Sequence, residues 1–252
     1  MRRGRVVYQD RLHEAVPDPV GLKLDDGRML READVTWLPP IEPRTVFAVG
    51  LNYADHAKEL AFKPKSEPLL FLKGLRSLAG HRASTERPAD AAFMHYECEL
   101  AVVIGRTARH VQAADALTHV AGYTVANDYA VRDYLENYYR PNLRAKSRDS
   151  ATLLGPWFID ADEVGDPQAL ELRTLVNGRV TQRGNTRDMI HSVARLIEYL
   201  SAFMTLARGD VILTGTPAGV VNVEAGDEVV TEIDGIGRLS NFLVAGRVNA
   251  HG

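Results

Sequence analysis

The chain has little of several things that would each have named a class of protein. Its 252 residues hold one cysteine, Cys98, so there is neither an intramolecular disulfide nor a thiolate zinc cage to build. No window approaches the roughly 18 consecutive apolar residues of a membrane span. The basic start, MRRGRVVYQDRLHEA, is not followed by an apolar stretch of signal-peptide length. The expectation is a cytoplasmic protein, neither exported nor inserted in a membrane. Charge of one sign is also missing: 30 Lys+Arg stand against 33 Asp+Glu, a net of −3. That balance gives no global field for nucleic acid and no polybasic anchor. A Gly-rich phosphate-binding fingerprint is absent, as is the regular alternation of strands with long helices that would carry it.

What is present is a chain of short β-rich runs. Val46–Val49, Leu69–Leu72, Leu100–Ile104, Tyr123–Asn127, Leu170–Val176, Val211–Thr214, Glu228–Ile233 and Arg238–Val244 read as strands, with hairpin turns at Asn177-Gly178 and Asp234-Gly235. One helix stands out over Asp188–Leu206, where Ile190, Val193, Ile197, Leu200 and Met204 recur at three- and four-residue steps. The proline cluster Leu38-Pro39-Pro40-Ile41-Glu42-Pro43 predicts a stiff extended connection. It divides the chain into a small N-terminal β unit, residues 1–44, with a hairpin at Gly21–Leu24, and a main domain, residues 45–252.

Four segments carry chemistry. In Met94–Gly105 the alternation of a strand puts His95, Glu97 and Glu99 on one face, and Tyr96, Cys98, Leu100, Val102 and Ile104 on the other. Two neighbouring carboxylates are either solvated at a sheet edge or neutralised by a cation. Asp128, closing the strand Tyr123–Asp128, could converge on them, and oxygen-only ligands suit Mg²⁺ or Mn²⁺. In Val49–Leu60 a strand and Gly turn lead into a helix with Asn52 as a possible N-cap. His56 and Glu59 there share a helical face, as a proton-transfer pair or as an ordinary surface ion pair. Between Arg140 and Arg148 the chain holds Arg140, Arg144, Lys146 and Arg148 with no anion, a local positive patch suited to small polyanions or a solvated loop. Arg132, on an expected helix 131–138, could add a fork for a carboxylate. Thr214-Gly215-Thr216-Pro217-Ala218-Gly219 breaks an apolar strand sharply; it could present N–H groups and a hydroxyl to an anion, or be a structural turn.

Taken together, VGLNYADHAKE (49–59), YECELAVVIG (96–105), AGYTVANDYAVRDY (121–134), KSRD (146–149), LGPW (154–157) and ILTGTPAGV (212–220) resemble the fumarylacetoacetate hydrolase family. They span nearly everything after residue 45, in the family's order. AVRDYLENYYRPNLRAKSRD narrows the resemblance to the isomerase/decarboxylase branch of 4-hydroxyphenylacetate (homoprotocatechuate) breakdown.

The resemblance implies an α+β, β-rich fold, a mixed β-sandwich roll with few helices, and a homodimer. It implies Mg²⁺, with Mn²⁺ as the alternative, on Glu97, Glu99 and Asp128, with Lys146 over the substrate oxygens and His56 with Glu59 as acid/base pair. Gly215 and Thr216 fall where the family's turn contacts substrate, and Arg132, Arg140 and Arg144 are the candidates for distal carboxylates. The implied substrates are polycarboxylate 2-oxo or 2-hydroxy acids, 2-hydroxyhepta-2,4-diene-1,7-dioate and 5-oxopent-3-ene-1,2,5-tricarboxylate, reacting through a metal-stabilised enolate. Because that branch carries two related halves in one chain, a separately encoded partner half is a further expectation. Acylpyruvate hydrolysis or oxaloacetate decarboxylation are alternatives within the family, and a non-catalytic carboxylate-binding module lies outside it.

Overall fold

The computed structural model describes residues 1–59, 66–135 and 142–246. Three larger sheets dominate, and the fold is β-rich as expected. The central one has seven strands in the order Leu69–Lys73, Val46–Gly50, Val211–Leu213, Cys98–Ile104, Val120–Asp128, Thr152–Asp160, Leu78–Ala79. It is mixed: Val211–Leu213 runs parallel to Val46–Gly50, Thr152–Asp160 runs parallel to Leu78–Ala79, and the other neighbours are antiparallel. A five-stranded sheet, in the order Arg179–Asn185, Glu171–Val176, Glu228–Ile233, Gly237–Ala245, Ser84–Arg87, supplies the second layer. Residues of both pack into one apolar core that includes Leu100, Val102, Val125, Leu153, Leu172, Val229 and Leu239.

Burial on both faces explains why the middle strands read as continuous apolar runs. All seven residues of Cys98–Ile104 and all but one of Val120–Asp128 are buried. The sheet's other face packs Val46, Ala48, Ala101, Val103, Ala126 and Leu213 into a second, smaller cluster. Small side chains there allow close packing at little cost in volume.

Residues Gly4–Leu38 form the five-stranded N-terminal sheet. Its Val6, Ala15, Leu22, Leu24 and Trp37 join the main core, and Arg3 bridges Phe158.

Several sequence expectations need correction. The long helix begins at Val193, not Asp188, and ends at Phe203: Ser192 caps it, its hydroxyl accepting from the Arg195 N–H, and residues Thr186–Asp188 form a separate turn. Over the described part of the expected helix 131–138, the chain instead forms a short strand, Ala130–Val131, and a single 3-10 turn, Arg132–Tyr134; residues 136–138 lie outside the described residues. Asn52 does not cap the helix Ala54–Glu59; its amide is spent elsewhere, as described below. Thr152–Asp160 is a further strand, absent from the sequence reading, with Pro156 inside it. The proline is accommodated where the ladder to Tyr123–Val125 slips register, so its missing N–H breaks no regular bond. Among the described residues, no helix is long and apolar enough to cross a membrane.

Candidate active site

The strand around the two glutamates is interrupted. Met94–His95 pairs with Ala130–Val131, and Cys98–Ile104 pairs with Val120–Asp128, leaving Tyr96-Glu97 at the junction. This break lies opposite the end of the neighbouring strand, and Asp128 N–H donates to the Glu97 carbonyl. The two strand ends thereby bring Glu97, Glu99 and Asp128 together, each offering a carboxylate oxygen within 4.8 Å of the others. All three are buried, so the solvated-edge alternative is excluded.

Two lysines balance part of this charge. Lys146 Nζ lies 2.5 Å from Glu97 Oε2 and 3.2 Å from Asp128 Oδ2. Lys73 Nζ donates to Asp128 Oδ1 at 2.5 Å and also to the Lys146 carbonyl. Lys73 sits on the edge strand, four places along the sheet order from the strand that ends at Asp128. The contact therefore requires the curl of the sheet into a half-barrel.

The electrostatics follow from position. Burial alone would raise Glu97, but the charge of Lys146, helped by His95 and His56, holds it down at about 2. Glu99 has no lysine of its own; burial and the neighbouring Asp128 and Glu97 push it well above the usual carboxylate range, opposed by Lys146 and the Gly215 N–H. Burial works against the Lys146 ammonium, but Asp128 and Glu97 outweigh it and raise its pKa. Three carboxylates against two ammoniums leave a deficit of one positive charge, which Glu99 meets by its raised affinity for a proton. A hard divalent cation would remove that deficit, and the all-oxygen donor set suits it, so these residues fit Mg²⁺ or Mn²⁺.

His56 and Glu59 form a pair at 2.9 Å through Nδ1 and Oε2. The carboxylate holds the proton on Nδ1 and leaves the Nε2 lone pair as the basic atom. Glu59 Oε1 accepts from the Gly219 N–H at 3.2 Å, and Glu99 Oε2 accepts from the Gly215 N–H at 2.6 Å. The turn Thr214–Gly219 therefore links the carboxylate cluster to the His–Glu pair. Its shape depends on Gly215, at φ +89°, where a Cβ would lie 2.8 Å from Asn52 Cβ. Asn52 locks the same place: Nδ2 donates to the carbonyls of Thr214 and His191, and Oδ1 accepts from the His191 N–H. Thr216 is buried beside them.

The cationic candidates are less tightly gathered. Arg132 lies in the 3-10 turn just after the strand that pairs with Met94–His95. Arg144 is largely exposed, its guanidinium 3.8 Å over the Tyr134 ring and 3.5 Å from Asp90. Arg140 lies outside the described residues.

Sequence reading missed Lys73 and Gln182, whose amide bonds Thr216, and took Asn52 for a helix cap. Lys73 left one trace, a lysine closing the apolar run Leu69-Leu70-Phe71-Leu72, but its partner is 55 positions away. His95, noted only as sharing a face with the glutamates, is fully buried, and burial lowers its pKa to about 4 despite Glu97.

The chain belongs to the fumarylacetoacetate hydrolase family: residues 45–244 match the model of the family's C-terminal domain. It is 55% identical over 230 residues to the 4-hydroxyphenylacetate degradation bifunctional isomerase/decarboxylase of Salmonella dublin, covering 91% of this chain and 53% of that one. The chain thus spans about half the length of the bifunctional relatives it matches. Among solved structures, 5-carboxymethyl-2-hydroxymuconate delta-isomerase from Mycobacterium smegmatis is similar at a TM-score of 0.85 and 41% identity, covering 98% of this chain and 100% of that one. Fumarylpyruvate hydrolase from Pseudomonas aeruginosa, solved with Mn²⁺ and pyruvate, is similar at a TM-score of 0.76 and 34% identity, covering 84% of this chain and 92% of that one.

Proposed function

We propose that this protein is a Mg²⁺-dependent isomerase/decarboxylase of 4-hydroxyphenylacetate breakdown, acting on 2-hydroxyhepta-2,4-diene-1,7-dioate, 5-oxopent-3-ene-1,2,5-tricarboxylate or both. The observation that carries the reading is the buried Glu97, Glu99 and Asp128 cluster, closed by Lys146 and joined through one turn to the His56–Glu59 pair. Similarity to the bifunctional enzymes and to the muconate isomerase supports the choice of substrates.

Glu97, Glu99 and Asp128 would hold the metal, which supplies Lewis acidity toward the carboxylate and 2-oxo or 2-hydroxy oxygens of a bound substrate. Lys146 provides a fixed ammonium for the negative charge that develops on the substrate oxygen when the enolic O–H ionises or a C–C bond breaks. Its attachment to Glu97 fixes that charge in position, so little reorganisation is needed at the moment of reaction. His56 Nε2 moves the proton, taking it from the 2-hydroxyl of the dienol and returning it to a carbon of the resulting dienolate in isomerisation, or delivering it to the dienolate left when carbon dioxide departs. Glu59 stabilises the imidazolium between those events. Arg132, Arg140 and Arg144 receive the distal carboxylates, and Gly215 and Thr216 line the substrate's near end. Residues 1–44 form an appended β unit beside the catalytic domain, and the working protein is a cytoplasmic homodimer, with or without a separately encoded homologous half.

The test is a side-by-side assay with Mg²⁺ of the heptadienedioate, the oxopentenetricarboxylate, an acylpyruvate and oxaloacetate. Turnover of the first two at the higher kcat/KM is expected. Turnover of the last two alone would move the protein to the hydrolase or oxaloacetate decarboxylase reading, and turnover of none would favour a binding module.

A further inference from the structure

Behind the turn Thr214–Gly219 stands the hairpin Glu171–Val176 and Arg179–Asn185, where Thr174 and Gln182 face each other across the ladder. Thr174, Gln182 and Thr216 are all buried, at 0%, 1% and 2% exposure. Their hydrogen bonds run in one direction. The Thr174 hydroxyl donates to Gln182 Oε1 at 2.8 Å. Gln182 Nε2 donates to the Pro217 carbonyl at 2.7 Å and to Thr216 Oγ1 at 2.9 Å. The carbonyl decides the amide's orientation, because a glutamine oxygen in that place would face another acceptor. Thr216 Oγ1 is consequently an acceptor toward Gln182, and its own hydrogen has no protein acceptor among the described hydrogen bonds.

The hairpin and the turn approach closely, with no room between them for a side chain at Gly184 or Gly219. A Cβ at Gly184 would fall 2.6 Å from Pro217 Cγ, and one at Gly219 would fall 2.9 Å from the Thr181 carbonyl. The turn is fixed on its other side by Glu99 and Glu59, as described above.

We infer that Gln182 is a positioning residue that fixes Thr216 as a hydrogen-bond donor, presenting its hydroxyl proton to a carboxylate oxygen of the ligand. The inference rests on the reading of Thr216 as a ligand contact and extends it to the residue that sets the contact's polarity. A donor suits a carboxylate, which only accepts, and a hydroxyl free to turn its lone pairs outward would repel it.

The experiment measures pyruvate binding to the Mg²⁺-loaded protein by calorimetry in a double-mutant cycle. Thr216→Val should weaken pyruvate about tenfold, the scale of one hydrogen bond to a charged group, with Mg²⁺ affinity unchanged. Gln182→Leu should weaken pyruvate about three- to tenfold in the parent, yet less than about twofold in the Thr216→Val background, because the hydroxyl it orients is gone. Equal losses in both backgrounds would mean that Gln182 acts through packing, and no loss in the parent would mean that it does not act; either result overturns the inference while leaving Thr216 as a contact. An unchanged affinity in Thr216→Val would instead overturn the contact itself, and the inference with it. If Gln182→Leu does not fold, Thr174→Val removes the donor that anchors the amide, and its loss should vanish in the same background.

Discussion

Replacing Lys73 by Met isolates the cost of breaking a buried charge cluster. Lys73 and Asp128 are each fully buried and paired at 2.5 Å, so solvent screening does not weaken the contact. Removing one member of such a pair costs about 3–5 kcal/mol, because the other is left buried without its partner. Here Asp128 keeps Lys146 on its second oxygen at 3.2 Å, which argues for the low end, about 3 kcal/mol. The Lys146 carbonyl also loses a donor, but burial already acts against the Lys73 ammonium, and relief of that strain offsets the loss. For a protein of this size, about 3 kcal/mol corresponds to a fall in Tm of roughly 6–12 °C. The assay is thermal unfolding with a chelator present, so that no divalent cation substitutes for the missing charge. The double variant Lys73→Met/Asp128→Asn, which removes the stranded charge, should recover at least about half of the loss. A drop below about 3 °C in the single variant, or a double variant no more stable than the single, would refute the claim that Lys73 acts as Asp128's counter-charge.

Two further outcomes are expected. Because the pKa of Glu99 is raised in the folded protein, its carboxyl favours folding below the ordinary glutamate range, and that contribution is lost as pH rises through the raised value. A cation that takes the ionised form must expel the proton, so Mg²⁺ affinity should increase with pH over that window and binding should release a proton. Glu99→Gln should abolish the release, and calorimetry in buffers of different ionisation enthalpy measures it; unchanged release would place the proton elsewhere. Gly215→Ala combines a positive φ with a Cβ 2.8 Å from Asn52, so it should displace the N–H that holds Glu99, destabilise the protein by more than about 1 kcal/mol and weaken Mg²⁺ binding. Parent-like stability and affinity in that variant would show that the turn is not the anchor of Glu99.

The site was partly legible in the sequence because strand periodicity is local. Glu97 and Glu99 share a side whatever the remainder of the chain does, and Asp128 ends the next strand, which the register Cys98↔Asn127 brings alongside. His56 and Glu59 are equally local, one helical step apart. Lys73 was not legible: it reaches Asp128 only through the curl of a seven-stranded sheet, which no pattern within a strand records. Asn52 was misread for a related reason. An asparagine before a helix has the signature of a cap, yet its amide serves Thr214 and His191, more than a hundred positions away. The helix start failed through periodicity itself: Ile190 continues the apolar spacing, but Ser192 supplies the stronger local stop by capping residues that follow it. Arg132 was assigned to a helix that the pairing of Ala130–Val131 with Met94–His95 prevents.

Lys73 has a consequence beyond charge. Its one ammonium grips Asp128 and the backbone of Lys146, which lie 18 positions apart, and so pins both ends of the intervening segment at a single point. With its ends fixed, such a segment can be lengthened at a small entropic cost, about 0.6 kcal/mol for each doubling. The stretch between them, which carries Arg132 and Arg144, is therefore a place where length can change while its two ends stay put. Under the proposed function, its contents could be rewritten for a different acid while Glu97, Asp128 and Lys146 stay where they are.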